Sequence, residues 1–89
     1  MQAMNVNAFD TVLITGLGPV GLGAVVNARY RGARVIAVES HPWRTQRALE
    51  MGAVAVIDPR SDDPAGQIRA LTKGRGVDCA VDCSGTVQA

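Results

Sequence analysis

The chain has 89 residues, 47% hydrophobic and 19% charged, with a net charge of +1. That is an ordinary globular composition for one unit, just above the roughly 70–80 residues below which a single core seldom suffices. Scattered basic residues exclude nucleic acid as the natural partner, and the lack of an 18-residue apolar run or a signal-type N-terminus leaves a cytoplasmic, membrane-free protein as the expectation.

In chain order, short β-branched runs alternate with helical stretches. Residues 11–15 (TVLIT) are apolar almost throughout, as in a strand covered on both faces. Pro19 suits the first turn of a helix, where its missing N–H costs nothing; Val20, Leu22, Ala24, Val25, Val26 and Ala28 fill that helix and Gly32 ends it. Residues 34–39 (RVIAVE) form a second strand. Ser40 or His41 caps a second helix running through Pro42, Trp43, Ala48, Leu49 and Met51 to Gly52, with Trp43 packing it against the sheet. A third strand covers 53–58. Asp62 or Asp63 opens a third helix with Ile68, Ala70 and Leu71 on one face, ending near Lys73 and Gly74, and 77–83 (VDCAVDC) is the fourth strand.

The alternation predicts an α/β fold, a Rossmann-like three-layer α/β/α unit in which right-handed crossovers give a four-stranded parallel sheet of order 3-2-1-4. Residues 1–89 then form one partial dinucleotide-binding domain. Strand four falls at an edge although its sequence is apolar, so the domain reads as truncated. That open rim predicts a homodimer or a swapped assembly.

Gly16, Gly18 and Gly21 spell G-x-G-x-x-G between the first strand and the first helix. In that setting the first glycine permits the tight turn, the second leaves room for a pyrophosphate, and the third lets helix and strand approach. The helix N-terminus adds free N–H groups and a positive dipole end. Glu39, about 20 residues on at the end of the second strand, supplies the acid that accepts hydrogen bonds from the adenosine ribose and repels a 2′-phosphate. NAD is therefore favoured over NADP. Ser40, Arg44 and Arg47 pull the other way, because arginine beside strand two can hold a 2′-phosphate.

Cys79 and Cys83 lie four strand residues apart, ~13 Å between Cα atoms, too far for a disulfide. They read as small buried groups. His41, the one histidine, reads as a surface or capping residue and leaves the two cysteines poor metal-ligand candidates, so no metal site is assigned.

The segments GLGPVGLG, GARVIAVE, RALEMGA and GVDCAVDCSG together resemble the coenzyme domain of the medium-chain, zinc-dependent alcohol and polyol dehydrogenases, from about Asp10 to Gly85. The resemblance implies oxidation of an alcohol by hydride transfer to NAD or NADP, with zinc held in a catalytic domain that has no counterpart here, so no catalytic residue is assigned. It places the pyrophosphate on the backbone of Gly16, Gly18, Pro19, Val20 and Gly21, and the ribose on Glu39, with Arg44 nearby. Cys83 and Ser84 would line the adenosine side of the cleft. By itself such a portion should turn over nothing. Two other readings stay open: a free-standing sensor of NAD or another adenine nucleotide, and an S-adenosylmethionine-binding methyltransferase core, which Pro19-Val20-Gly21 disfavours.

Overall fold

A computed structural model of the chain describes residues 10–83. Its elements are β1 (Thr11–Thr15), α1 (Pro19–Tyr30), β2 (Arg34–Val38), α2 (Pro42–Glu50), β3 (Ala55–Ile57), α3 (Pro64–Leu71) and β4 (Cys79–Asp82). The strands are parallel in the order β3-β2-β1-β4, as predicted. The third and fourth strands are shorter than the expected 53–58 and 77–83; Ala53 is buried, but just outside β3.

All three helices start and stop by the same local rules. Each has proline in its first turn. His41 Nδ1 accepts the Trp43 N–H (3.2 Å) at the start of α2, and Asp63 Oδ1 accepts the Gly66 N–H (3.0 Å) at the start of α3. Each ends in a Schellman motif, closed by Gly32→Arg29 and Ala33→Ala28 bonds in α1, by Gly52→Leu49 and Ala53→Ala48 in α2, and by Lys73→Ala70 and Gly74→Arg69 in α3.

The core follows from strand alternation. Val12, Ile14, Val35 and Ala37 share one face of the sheet and are fully buried together with Ala24, Val25 and Ala28 of α1 and Ala48 of α2. Leu13 and Ile36, paired in register, face the other way. Ile36 is fully buried there, whereas Leu13 is half-buried and its register partner Ala80 in β4 is exposed. The helix on that side, α3, has no buried residue: Ile68 and Leu71 are half-buried, and Ala70 is exposed, against the expectation that all three share a packed face.

Two other expectations are corrected. Trp43 does not pack α2 on the sheet. It is 62% exposed, with the Arg47 guanidinium 5.6 Å from its ring centroid, and the small Ala48 makes the helix–sheet contact instead. Strand β4, read as too apolar for an edge, alternates half-buried Cys79 and Val81 with exposed Ala80 and Asp82. Cys79 in it and Cys83 just after it are free and half-buried rather than fully enclosed.

These placements predict a contrast in urea denaturation. Ile14→Ala should cost about 2–5 kcal/mol of unfolding free energy through the cavity it opens. Trp43→Ala should cost less than about 1 kcal/mol, the worth of an exposed cation–π contact.

Candidate dinucleotide cleft

The carboxyl ends of the four strands are levelled by backbone bonds that continue the sheet by one residue. Glu39 N–H donates to Ile57 O (3.0 Å), Gly16 N–H to Val38 O (3.1 Å) and Cys83 N–H to Thr15 O (2.7 Å). Glu39, Gly16 and Cys83 are thereby brought to one rim. Thr15 Oγ1 adds a bond to Asp82 Oδ1 (3.0 Å) that ties the ends of β1 and β4.

Above this rim lies a cleft of about 640 Å³, open to solvent. Six of the residues expected at a ligand site line it: Gly16, Gly18, Glu39, Ser40, Arg44 and Cys83. Pro19, Val20 and Gly21 do not, and Val20 is exposed at the start of α1. Ser84 lies outside the described residues. Thr15, Val38 and Pro59 also line the cleft and escaped the sequence reading. All three stand at or just after a strand's carboxyl end, which is the signal that could have found them.

The glycines have separable roles. Gly16 turns the chain out of β1 with φ +82°, a left-handed conformation that other residues adopt only at a cost. Gly21 is a contact glycine: a Cβ there would collide with the Gly16 carbonyl oxygen and come within 3.5 Å of Cys83 Cβ. Gly18, at φ −70°, is neither strained nor crowded, since a Cβ there meets nothing within 4 Å. The space above Gly18 is free for another molecule.

Glu39 is held more firmly than a solvated strand end would be. Its Oε1 accepts the Leu17 N–H (2.8 Å), from inside the glycine turn, and its Oε2 accepts the N–H groups of Ser40 (3.1 Å) and His41 (3.0 Å). Partial burial tends to raise the carboxyl's pKa, but the three backbone donors and the positive charge of Arg44 outweigh it and hold the group below the ordinary value of 4.5. At the other wall, burial and the Asp82 charge raise the Cys83 thiol, which stays protonated at neutral pH. Arg60, paired with Asp58 at 3.3 Å, reaches the Ser40 carbonyl (3.5 Å) beside Pro59. Among the described residues, no group of three or more His, Cys, Asp and Glu side chains could hold a metal ion, and no helix is long and apolar enough to cross a membrane.

The sequence profile described as zinc-binding dehydrogenase matches residues 19–89. L-threonine 3-dehydrogenase of Bacillus licheniformis is 41% identical over 83% of this chain and 22% of its own length. NADP-dependent isopropanol dehydrogenase of Thermoanaerobacter brockii is 43% identical over 84% of this chain and 22% of its own. Among solved structures, an alcohol dehydrogenase zinc-binding domain protein from Burkholderia ambifaria superposes with a TM-score of 0.84 at 39% identity, covering 91% of this chain and 22% of that one. The chain thus spans between 22% and 28% of the length of such curated relatives.

Two outcomes test the site as a structure. Gly21→Ala should destabilise strongly, by more than about 2 kcal/mol in urea titration, because backbone must move, whereas Gly18→Ala should be neutral or slightly stabilising. The second outcome concerns pH. With Glu39 depressed in the folded state, its contribution is full above the unfolded value near 4.5 and is lost as pH falls below that toward the folded value. Glu39→Gln should therefore lower stability at pH 7 by on the order of 1 kcal/mol and flatten the loss of stability below pH 4.5, since the amide offers one acceptor oxygen to three donors.

Proposed function

We propose, for a chain that belongs to the zinc-binding dehydrogenase family, that these residues are the NAD-binding portion of an alcohol or polyol dehydrogenase. The observation that carries the reading is the conjunction of open backbone at Gly18 with the fixed carboxylate of Glu39 on the same cleft wall.

The chain's own residues would act as follows. The turn through Gly16 and Gly18 and the N-terminus of α1 take the pyrophosphate, whose charge the helix dipole and free N–H groups favour. Pro19, Val20 and Gly21, off the cleft wall, form the first turn of that helix. A carboxylate offers about four acceptor directions, and three are filled in Glu39. The ribose hydroxyl therefore meets the remaining direction on Oε1, the oxygen already bonded to the glycine turn. Ser40 and Arg44 border the adenosine, with Cys83 and Ser84 opposite. When bound, the nicotinamide supplies the hydride acceptor; the residues described here position it and do no chemistry on the alcohol. Zinc would be held by a part of the whole protein outside these residues, so the chain alone should be inactive. The whole protein would be a cytoplasmic oxidoreductase.

NADP is the second reading, favoured by the position of Arg44 in the cleft wall and by the NADP dependence named for the isopropanol dehydrogenase relative. Glu39 weighs against it, because three backbone bonds hold the carboxylate where a 2′-phosphate would sit.

Thermal-shift titration decides among these. A ligand at 100 times its Kd stabilises by about 2.7 kcal/mol, and NAD should raise the Tm more than NADP, with S-adenosylmethionine giving no shift. Gly18→Ala should remove the NAD shift while keeping the fold. Stabilisation by S-adenosylmethionine alone would contradict the reading.

A further inference from the structure

A second hollow, of about 410 Å³, lies at the opposite end of the sheet from the dinucleotide cleft, at the amino ends of β1, β2 and β4 and the carboxyl end of α3. We propose that this hollow, walled by Arg34, Lys73 and Arg75, binds a phosphate-type oxyanion. The proposal is independent of the dinucleotide reading.

Charge is the first ground. Three cations and one carboxylate, Asp78, line the hollow, a surplus of two positive charges where the whole chain carries +1. None of the three cations pairs with a carboxylate among the described residues; the two ion pairs found there, Arg47–Glu50 and Arg60–Asp58, lie elsewhere. Asp78 is turned partly to other use, its Oδ2 accepting the Thr11 N–H at 2.7 Å. A concave site bordered by three cations that form no ion pair among the described residues favours a small multivalent anion, and guanidinium groups match the oxygens of phosphate in geometry as well as charge.

Lys73 provides the second ground. The Schellman motifs ending α1 and α2 place glycine at the left-handed position, Gly32 (φ +86°) and Gly52 (φ +112°). In α3 the same position is Lys73, at φ +56°, the one non-glycine residue with positive φ among the described residues. The backbone there asks for glycine, so the lysine side chain is retained at a conformational cost. Lysine at a helix end also complements the dipole, and the test must separate that role from anion binding. The loop beyond it is fixed, with Gly76 N–H donating to the buried Thr72 hydroxyl (2.9 Å), and that order holds Arg75 beside Lys73.

The experiment is an amide-shift titration of the whole chain by NMR with inorganic phosphate at pH 7.5 and low ionic strength, with chloride at matched ionic strength as control. It is run on the wild type, on Lys73→Gly and on Arg75→Gln. The proposal expects saturable shifts at Thr11, Gly76 and Asp78 that chloride does not reproduce, and at least tenfold weaker binding in each variant. Lys73→Gly should match or exceed the wild-type Tm, since glycine suits the backbone. Shifts that chloride reproduces, shifts confined to Gly16 and Gly18, or a phosphate response unchanged in both variants would overturn it. So would a lowered Tm in Lys73→Gly with the phosphate response intact, which would assign the lysine to the helix end.

Discussion

The bond from Leu17 N–H to Glu39 Oε1 joins the two sequence features on which the site depends. Without it, the glycine turn after β1 and the acid after β2 are neighbours only because their strands pair. With it, the carboxylate helps fix the turn, and the turn's N–H fixes the carboxylate. Ser40 and His41 add two more donors from the start of the next segment, so the acid also anchors the chain's entry to α2. A buried or half-buried carboxylate is tolerable when it is so satisfied, and the same donors keep it ionised, the state that accepts a hydroxyl's hydrogen bond.

The fold was largely legible because strong local signals agreed with one another. Proline at each helix start, a left-handed C′ residue at each end and β-branched runs between them fixed the element order, and crossover handedness then fixed the sheet order. What was not legible depended on which neighbour covers a surface. Trp43 has the size of a core residue, yet Ala48 lies on the α2 face that meets the sheet, and helical spacing sets Trp43 away from it. Ala70 shares a sequence neighbourhood with Ile68 and Leu71 but not their helix face. Of the site, Gly16, Gly18, Glu39, Ser40, Arg44 and Cys83 could be placed in advance because motif spacing and strand ends are sequence properties. That Glu39 would bond to the glycine turn itself could not, since it depends on the register of two strands and on a side-chain rotamer.

The two ends of the sheet have opposite character. At the carboxyl end an acid and open backbone line the cleft proposed to take a ligand with a sugar and a diphosphate. At the amino end three cations, without ion pairs among the described residues, border a loop ordered by a threonine hydroxyl. Both ends use residues at the tips of parallel strands, where the sheet's own hydrogen bonds run out and side chains from different elements converge. Between them the α1–α2 face forms the buried core, and among the described residues the α3 face is only partly covered around Leu13 and Ala80.

The central claim is that the glycine turn and Glu39 act together as the seat of a dinucleotide. It is tested most directly by mapping NAD onto the chain through its backbone amide signals. The account predicts that Gly16, Leu17, Gly18 and Ser40 respond together, with the Leu17 signal among the most perturbed because its N–H donates to the Glu39 carboxylate. A response that leaves Leu17 and Gly18 unmoved, or one centred on the amino end of the sheet, would contradict it.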